Sequence, residues 1–223
     1  ASESILRELR LLAAEKPLVV SMGPIAASGG YWISTAAQKV FAQATSITGS
    51  IGVLMLHMSI QKPLEGLGIT SDVVKQGEFA DFGSALRPLS QTEREVLEQM
   101  TEHYYQEFLQ LVAEARSMTP EQVDPYAEGR VWTGVDAQKH GLIDQLGGLK
   151  EALCHLSQAL NAERLKIEFH PQVKQSWLVK MVNSNIEKEK VSAPSPEALI
   201  NSCRRVQGRV LLMDPLWFSL YRK

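Results

Sequence analysis

The chain has 223 residues, of which 44% are hydrophobic, and a formal net charge of -2 at pH 7. Length and apolar content are sufficient for a buried core, which excludes a wholly disordered protein. The nearly balanced charge gives no electrostatic reason to expect nucleic acid or an anionic membrane surface as the main partner.

Two cysteines, Cys154 and Cys203, occur without a CxxC pair, and the histidines do not cluster at ligand spacing. We therefore predict neither a disulfide framework nor a zinc site, and no cofactor is expected. No run approaches the roughly 18 apolar residues that span a bilayer, and the N-terminus lacks a signal-peptide pattern. The chain as given is expected to be soluble, and any membrane association would come from a segment of a longer parent.

Helices and strands alternate in the first third of the chain. SESILRELRLLAAEK predicts a helix that Ser2 or Ser4 caps and that Lys16-Pro17 ends. The next predicted elements are a buried strand LVVSM (18–22), a helix YWISTAAQ, a strand VFAQ (40–43), a strand region ITGSIGVLM (47–55), a short helix QKPLEGLG and a strand ITSDVV (69–74). The alternation predicts an α/β fold.

From Ser90 onward the predicted elements are mainly helical. Ser90-Gln-Thr-Glu93 forms a capping box, and apolar residues at three- and four-residue steps predict a long amphipathic helix reaching about Arg116. Shorter helices follow at Thr119-Pro120-Glu121, at VDAQKHG and at LKEALCHLSQALN, before a strand LKIEFH (165–170). We predict one domain over residues 1–170 and a C-terminal extension of unknown role over residues 171–223.

The string AASGGYW places Ser28 between a buried strand and the start of a helix. Unpaired amides and the positive end of the helix dipole favour a developing negative charge there, and the neighbouring glycines admit a substrate backbone. The pattern is also typical of a simple N-cap serine. On these residues alone both interpretations stay open.

Three strings, KPLVVSMGPIAASGGYWIST, TGSIGV and GRVWTGVDAQKHGLIDQLGG, together resemble the signal peptide peptidase A (protease IV) family over roughly residues 1–160. The resemblance implies a crotonase-like (ClpP-like) α/β fold of repeated ββα units and a serine protease with a Ser/Lys dyad. It makes Ser28 the nucleophile, the Gly29 amide a donor to the oxyanion hole, and Ser50 a support for the lysine amine. Without the resemblance, Ser50 is equally well a turn serine beside Gly49.

The lysine is missing from the position that the resemblance assigns to it. Self-contained members carry a string like V-I-K-S-G-x-x-K-D, and the matching VVKQGEFAD has Ala80 in the lysine position. A lysine can act as a base because desolvation lowers its pKa, which alanine cannot imitate. Either Ala80 is engineered, or the chain resembles the C-terminal repeat of the two-repeat type, in which the upstream repeat supplies lysine. We favour the second; Lys75 is expected to be a solvated charge at a strand end.

The resemblance also implies substrates and partners. Cleaved signal peptides or other extended apolar peptides would bind by β-augmentation near Met22, Ile25, Ile51, Val53 and Leu54. A homo-oligomer with the long helix between protomers is implied, as is an anchored parent with its catalytic domain on the extracytoplasmic side of the cell envelope, or at an organelle membrane. The chain alone is expected to be inactive.

Other functions are open or disfavoured. The alternative to a protease is a catalytically dead scaffold or regulatory subunit of the same fold. An acyl-CoA hydratase of the shared superfamily is disfavoured because such sites use paired carboxylates. A Ser-His-Asp triad is disfavoured because none of the five histidines shares a motif with a carboxylate.

Overall fold

The computed structural model describes residues 1–161, 166–170 and 209–213. Its elements in chain order are α1 (Ser2–Glu15), β1 (Val19–Ser21), β2 (Ile25–Ala27), α2 (Gly29–Ser34), β3 (Lys39–Ala42), β4 (Ile47–Gly49), α3 (Gln61–Gly66), α4 (Gln91–Arg116), α5 (Pro120–Val123), a 3₁₀ helix (Asp124–Tyr126), β5 (Val131–Thr133), α6 (Gly134–Lys139), β6 (Gln145–Leu146), α7 (Leu149–Ala159), β7 (Lys166–His170) and β8 (Arg209–Met213). Apart from β8, the predicted C-terminal extension lies outside the described residues.

The strands follow one another in ββα units. β1 and β2 precede α2, and β3 and β4 precede α3. The first strand of each unit joins a parallel sheet of order β1-β3-β6, and the second joins a sheet of order β2-β4-β5, in which β5 is antiparallel. This topology confirms the predicted α/β fold of repeated ββα units.

α4 confirms the predicted long amphipathic helix. The Ser90 hydroxyl accepts the Glu93 N–H, and the Glu93 carboxylate accepts the Ser90 N–H, so the capping box is formed. Buried apolar side chains begin only at Phe108, whereas Met100 and Tyr104 are exposed. The first half of the predicted apolar stripe therefore stays at the surface.

The core fixes α2, the helix that follows Ser28. Tyr31 is buried and donates its hydroxyl to the carbonyl oxygen of Leu142 at 2.7 Å. Trp32 packs against Phe108 of α4 with ring centroids 4.7 Å apart. Because two successive side chains of α2 are anchored on different elements, the helix has a defined position relative to both.

Three local predictions are wrong. Residues 69–74 form no strand, because the segment is exposed throughout and pairs with no strand of the described residues. The strand region predicted at 47–55 stops at Gly49, because Gly49 and Ser50 both take positive φ values. The cap of α1 is Ala1, since Ser2 and Ser4 lie inside the helix.

Cys154 lies on α7 and is disulfide-bonded, a bond that the sequence analysis did not predict. Cys203 lies outside the described residues. No helix of the described ranges is long and apolar enough to cross a membrane.

Candidate active site

Ser28 forms the sharp turn between β2 and α2. Its backbone has φ 52° and ψ -117°, the mirror image of the β region, which glycine adopts far more readily than serine. Its N–H donates to the Gly49 carbonyl oxygen at 2.8 Å, and its own carbonyl accepts the Trp32 N–H at 2.8 Å. Such a conformation costs a non-glycine residue about 1–3 kcal/mol and persists only where the surroundings impose it. The fold therefore presents Ser28 in one orientation.

The Ser28 hydroxyl does not cap α2. Its side chain makes no cap hydrogen bond, and the residue is exposed. Ser28 thus occupies the N-cap position of α2, but its hydroxyl does not serve as a cap. An exposed hydroxyl at a strained turn, without an internal acceptor among the described residues, can react with a bound ligand once a base removes its proton.

Gly29 and Gly30 begin α2 beside this hydroxyl. Amides of a first helical turn have no carbonyl partner within the helix, so they can donate to an external oxygen. A Cβ at Gly29 would come within 2.5 Å of Ser2 Oγ, whereas one at Gly30 would meet nothing within 4 Å. Glycine at position 29 thus lets the start of α1 lie against the turn.

Strand pairing brings Ser50 next to the Ser28 turn. Ala27 of β2 pairs with Gly49 of β4, so Ser28 and Ser50 are the residues that follow a matched pair. Ser50 is half-buried with φ 51°, and its N–H donates to the carbonyl oxygen of Arg130 at 2.7 Å. Two of the predicted site residues are therefore neighbours, and both leave their strands in positive-φ turns.

Ala80 lies in an exposed turn of residues 77–83. No hydrogen bond or ion pair within the described ranges joins this turn to Ser28. Lys75 Nζ donates to Asp81 Oδ1 at 2.7 Å and to the Glu78 carbonyl oxygen at 3.0 Å. The prediction of a solvated charge holds for Lys75, whose side chain is exposed, but its predicted place at a strand end is wrong, since no strand forms there.

An ion-pair network fixes the segment that carries Ala80. Arg87 donates to Asp81 at 2.6 Å and forms a two-pronged pair with Glu93 at the start of α4, with both distances 2.6 Å. Hydrogen bonds from Arg87 and then from Lys75 hold the pKa of Asp81 far below its usual range. Hydrogen bonds from Arg87 and then from the Ser90 N–H lower the pKa of Glu93 to about 2. Residues 75–87 are thereby attached to α4.

The described histidine side chains have partners other than Ser28. These are the Ser84 carbonyl oxygen for His57, Glu107 for His103, Tyr126 and Trp132 for His140, and Phe41 for His155. Within the described ranges, no group of three His, Cys, Asp or Glu side chains could hold a metal ion. The geometry therefore gives no support to a histidine base at Ser28.

The apolar residues predicted to flank the site fall into two groups. Met22 and Ile51 are buried core residues. Ile25 is 69% and Leu54 is 90% exposed, and Val53 is half-buried. An apolar ligand can reach only the second group.

The sequence analysis did not identify Gly49 and Trp132, which lie next to the Ser28 turn. Gly49 has φ 77°, and a Cβ there would lie 2.9 Å from Cδ1 of Trp132 and 3.2 Å from the Arg130 carbonyl oxygen. The string GRVWTG contributed to the family resemblance, but its antiparallel pairing with β4 is a contact between distant parts of the chain. Local patterns do not specify such a contact.

Comparison with known proteins identifies relatives of this chain. The model of "Peptidase family S49" matches residues 10–163. The chain is 37% identical over 214 residues to Protease 4 of Salmonella typhi, covering 93% of this chain and 34% of that protein. It is 40% identical over 162 residues to the chloroplastic serine protease SPPA of Arabidopsis thaliana, covering 72% of this chain and 24% of that protein. The chain thus spans about a third or less of these relatives.

Similarity to solved structures is weak. A membrane-bound stomatin-specific protease aligns with a TM-score of 0.40 and 13% identity, covering 70% of this chain and 61% of that one. ClpP1 from Listeria monocytogenes aligns with a TM-score of 0.38 and 16% identity, covering 68% of this chain and 86% of that one.

Proposed function

The chain belongs to peptidase family S49, and we propose that it supplies the nucleophile, Ser28, of a serine endopeptidase whose base is a lysine from another segment of a longer protein. The observation that carries the proposal is the Ser28 turn. Its hydroxyl is exposed and uncapped, its φ of 52° is imposed by a cross-strand hydrogen bond, and the first-turn amide of Gly29 lies beside it.

The proposed reaction is acyl transfer through a covalent intermediate. Ser28 Oγ attacks the carbonyl carbon of a peptide bond while the lysine amine takes the hydroxyl proton. The Gly29 N–H, with other donors, stabilises the negative oxygen of the tetrahedral intermediate. The lysine ammonium returns the proton to the leaving amine, and water then hydrolyses the acyl-enzyme by the reverse proton transfers.

Three observations support a base from outside this chain. Position 80 holds alanine, and Lys75 is bound to Asp81. The Ser50 hydroxyl makes no hydrogen bond among the described residues, so it can accept one from an incoming ammonium. The relatives are three to four times longer than the parts that match, which leaves room for a second repeat.

An extended apolar peptide is the proposed substrate class, with cleaved signal peptides as its main example. Residues 53–59 make no main-chain hydrogen bonds to the described part of the chain. Leu54, Leu56 and Met58 are 90%, 83% and 70% exposed, at every second position. An extended peptide could pair with this free backbone and cover the apolar side chains.

The assembly and location of the longer protein are also proposals. A homo-oligomer with α4 between protomers is supported by the exposed Met100 and Tyr104 on the first half of that helix. We propose an anchor outside this chain and a catalytic domain on the extracytoplasmic face of the cell envelope. The chloroplastic relative supports an organelle membrane as the alternative location.

Labelling with a fluorophosphonate distinguishes the proposed protease from a catalytically dead scaffold. Ala80, taken on its own, would favour the scaffold. The longer protein should be labelled at Ser28, located by mass spectrometry, and should lose the label in Ser28→Ala and on replacement of the upstream lysine. A fully assembled longer protein that stays unlabelled and hydrolyses no apolar peptide ester would instead be a scaffold.

A further inference from the structure

Gly49 connects the β4–β5 pair to Ser28. Its carbonyl oxygen accepts the Ser28 N–H at 2.8 Å. A Cβ at Gly49 would lie 2.9 Å from Trp132 Cδ1 and 3.2 Å from the Arg130 carbonyl oxygen, so the indole and the backbone just before β5 already occupy that space. The peptide group of Gly49 therefore has little freedom to rotate away from Ser28.

Besides Gly49, the indole of Trp132 contacts the Tyr126 carbonyl and the His140 ring. Its Nε1 donates to the Tyr126 carbonyl oxygen at 2.8 Å. The His140 ring meets it edge-on at 4.4 Å between centroids and stacks on the Tyr126 ring at 4.2 Å. A hydrogen bond and ring contacts together keep the indole in one rotamer.

We propose that Trp132 is a positioning residue for Ser28: its indole, anchored on the Tyr126 carbonyl, keeps the Gly49 carbonyl where it accepts the Ser28 N–H. The proposal deepens the proposed function and rests on it. Ser28 needs such support because its φ of 52° is unfavourable for serine. With a displaced Gly49 carbonyl, the turn would relax toward negative φ and move the hydroxyl away from the Gly29 amide.

A purely space-filling Trp132 predicts a different outcome. Its removal would lower stability throughout the fold, as removal of a large, partly buried ring does. A positioning role predicts in addition a local loss at Ser28. Phe41, an aromatic residue of the other sheet that is more deeply buried than Trp132, provides the control for a general loss of packing.

Hydrogen–deuterium exchange of the Ser28 amide separates the two roles without requiring activity. In Trp132→Ala, exchange at Ser28 should accelerate roughly tenfold or more relative to the amides of residues 108–113 in α4, as expected for a weakened local hydrogen bond. Trp132→Phe, which lacks the Nε1 donor but keeps a ring, should give a smaller acceleration and remains usable if Trp132→Ala does not fold. Phe41→Leu should leave the ratio unchanged. Equal ratios in all variants would overturn the proposal.

Kinetics of the longer protein give the functional measurement. A misplaced nucleophile should reduce kcat and the rate of fluorophosphonate labelling by roughly 10- to 100-fold in Trp132→Ala, with KM within about twofold. Unchanged labelling of a folded Trp132→Ala would overturn the positioning role. If the unsubstituted protein is neither labelled nor active, the proposed protease function fails, while the exchange ratio still reports whether Trp132 holds the turn.

Discussion

The Ser28 N–H and the Gly49 carbonyl oxygen form a hydrogen bond of 2.8 Å that crosses from the first ββα unit to the second. This bond adds one step to the parallel β2–β4 ladder beyond the pair Ala27 and Gly49. The candidate nucleophile and Ser50 are therefore positioned by the same ladder, and the geometry of the site depends on strand pairing as much as on the turns themselves.

Backbone strain at Ser28 should be measurable as stability. Glycine adopts φ 52° and ψ -117° without strain. Ser28→Gly should therefore raise the free energy of unfolding by about 1 kcal/mol, although it removes the candidate nucleophile. Ser28→Ala should give no such gain, since alanine has the same Cβ. Urea denaturation of the three proteins gives the comparison.

Ser117 offers a positive control for that prediction. It ends α4 with φ 54° and ψ 42°, a left-handed cap that also favours glycine, so Ser117→Gly should stabilise the fold. If Ser117→Gly stabilises and Ser28→Gly does not, the Ser28 turn is not strained in the folded protein.

The network around Arg87 should make stability sensitive to acid. In the fold, hydrogen bonds from Arg87 lower the pKa values of Asp81 and of Glu93, the latter to about 2. An unfolded carboxyl group binds its proton at about pH 4, so this contribution is complete above that pH and is lost as the pH falls toward 2. Arg87→Gln should therefore flatten the fall in unfolding free energy between about pH 5 and pH 2.

The exposed pair of Lys139 and Asp136 provides the control for the acid prediction. Lys139 donates to Asp136 at 2.9 Å, but both side chains are well exposed and Thr133 also binds the carboxylate. Lys139→Gln should leave the pH dependence nearly unchanged, because exposed pairs contribute little. Equal effects of Arg87→Gln and Lys139→Gln in denaturation series at several pH values would argue against the network.

The sequence was sufficient where the determining interactions are local. The capping box of Ser90 and Glu93 and the stop at Lys16-Pro17 involve neighbours in the chain, so α4 and the end of α1 were predicted. It was insufficient where burial depends on pairing. Ile51 and Leu54 are similar residues of one string, yet Ile51 is in the core, where its carbonyl accepts the Gly129 N–H, and Leu54 is 90% exposed, in a segment without main-chain hydrogen bonds to the described residues.

The site shows the same division. The turn at Ser28 could be predicted because the strand, the serine and the two glycines are adjacent in the chain, whereas its role as nucleophile came only from the family resemblance. Trp132 could not, because it meets Gly49 only through the antiparallel pairing of β5 with β4. The hydrogen bonds of Lys75 were also not predicted, since the strand expected at residues 69–74 does not form and the chain turns back at Asp81.

Peptide binding along residues 53–59 should depend on the exposed apolar side chains. A charge at Leu56 would face the ligand, so Leu56→Asp should raise KM for an apolar peptide ester roughly tenfold or more, with kcat changed little, in the longer protein. Leu67 is 76% exposed but lies outside this segment, which makes Leu67→Asp the matched control. Similar KM values for both variants would place the peptide elsewhere.

If, as we propose, Ser28 is the nucleophile and its base lies on another segment of the longer protein, the isolated chain should be inactive. Without a base the attack of Ser28 loses a factor of roughly 10² to 10⁴. Lys75 is not expected to replace that base, since its Nζ is held by Asp81 and by the Glu78 carbonyl. Hydrolysis of an apolar peptide ester by the chain alone should therefore be at background.

Substitutions at Lys75, at the upstream lysine and at Ala80 test which residue serves as the base. In the longer protein Lys75→Met should leave most of the rate, whereas loss of the upstream lysine should abolish it, as Ser28→Ala does. In the isolated chain Ala80→Lys should recover weak hydrolysis, provided that the turn of residues 77–83 can approach Ser28, because the resemblance to self-contained members assigns the base to this position. Activity of the unmodified chain that disappears in Lys75→Met would make Lys75 the base, and the division of the site between two segments would then be wrong.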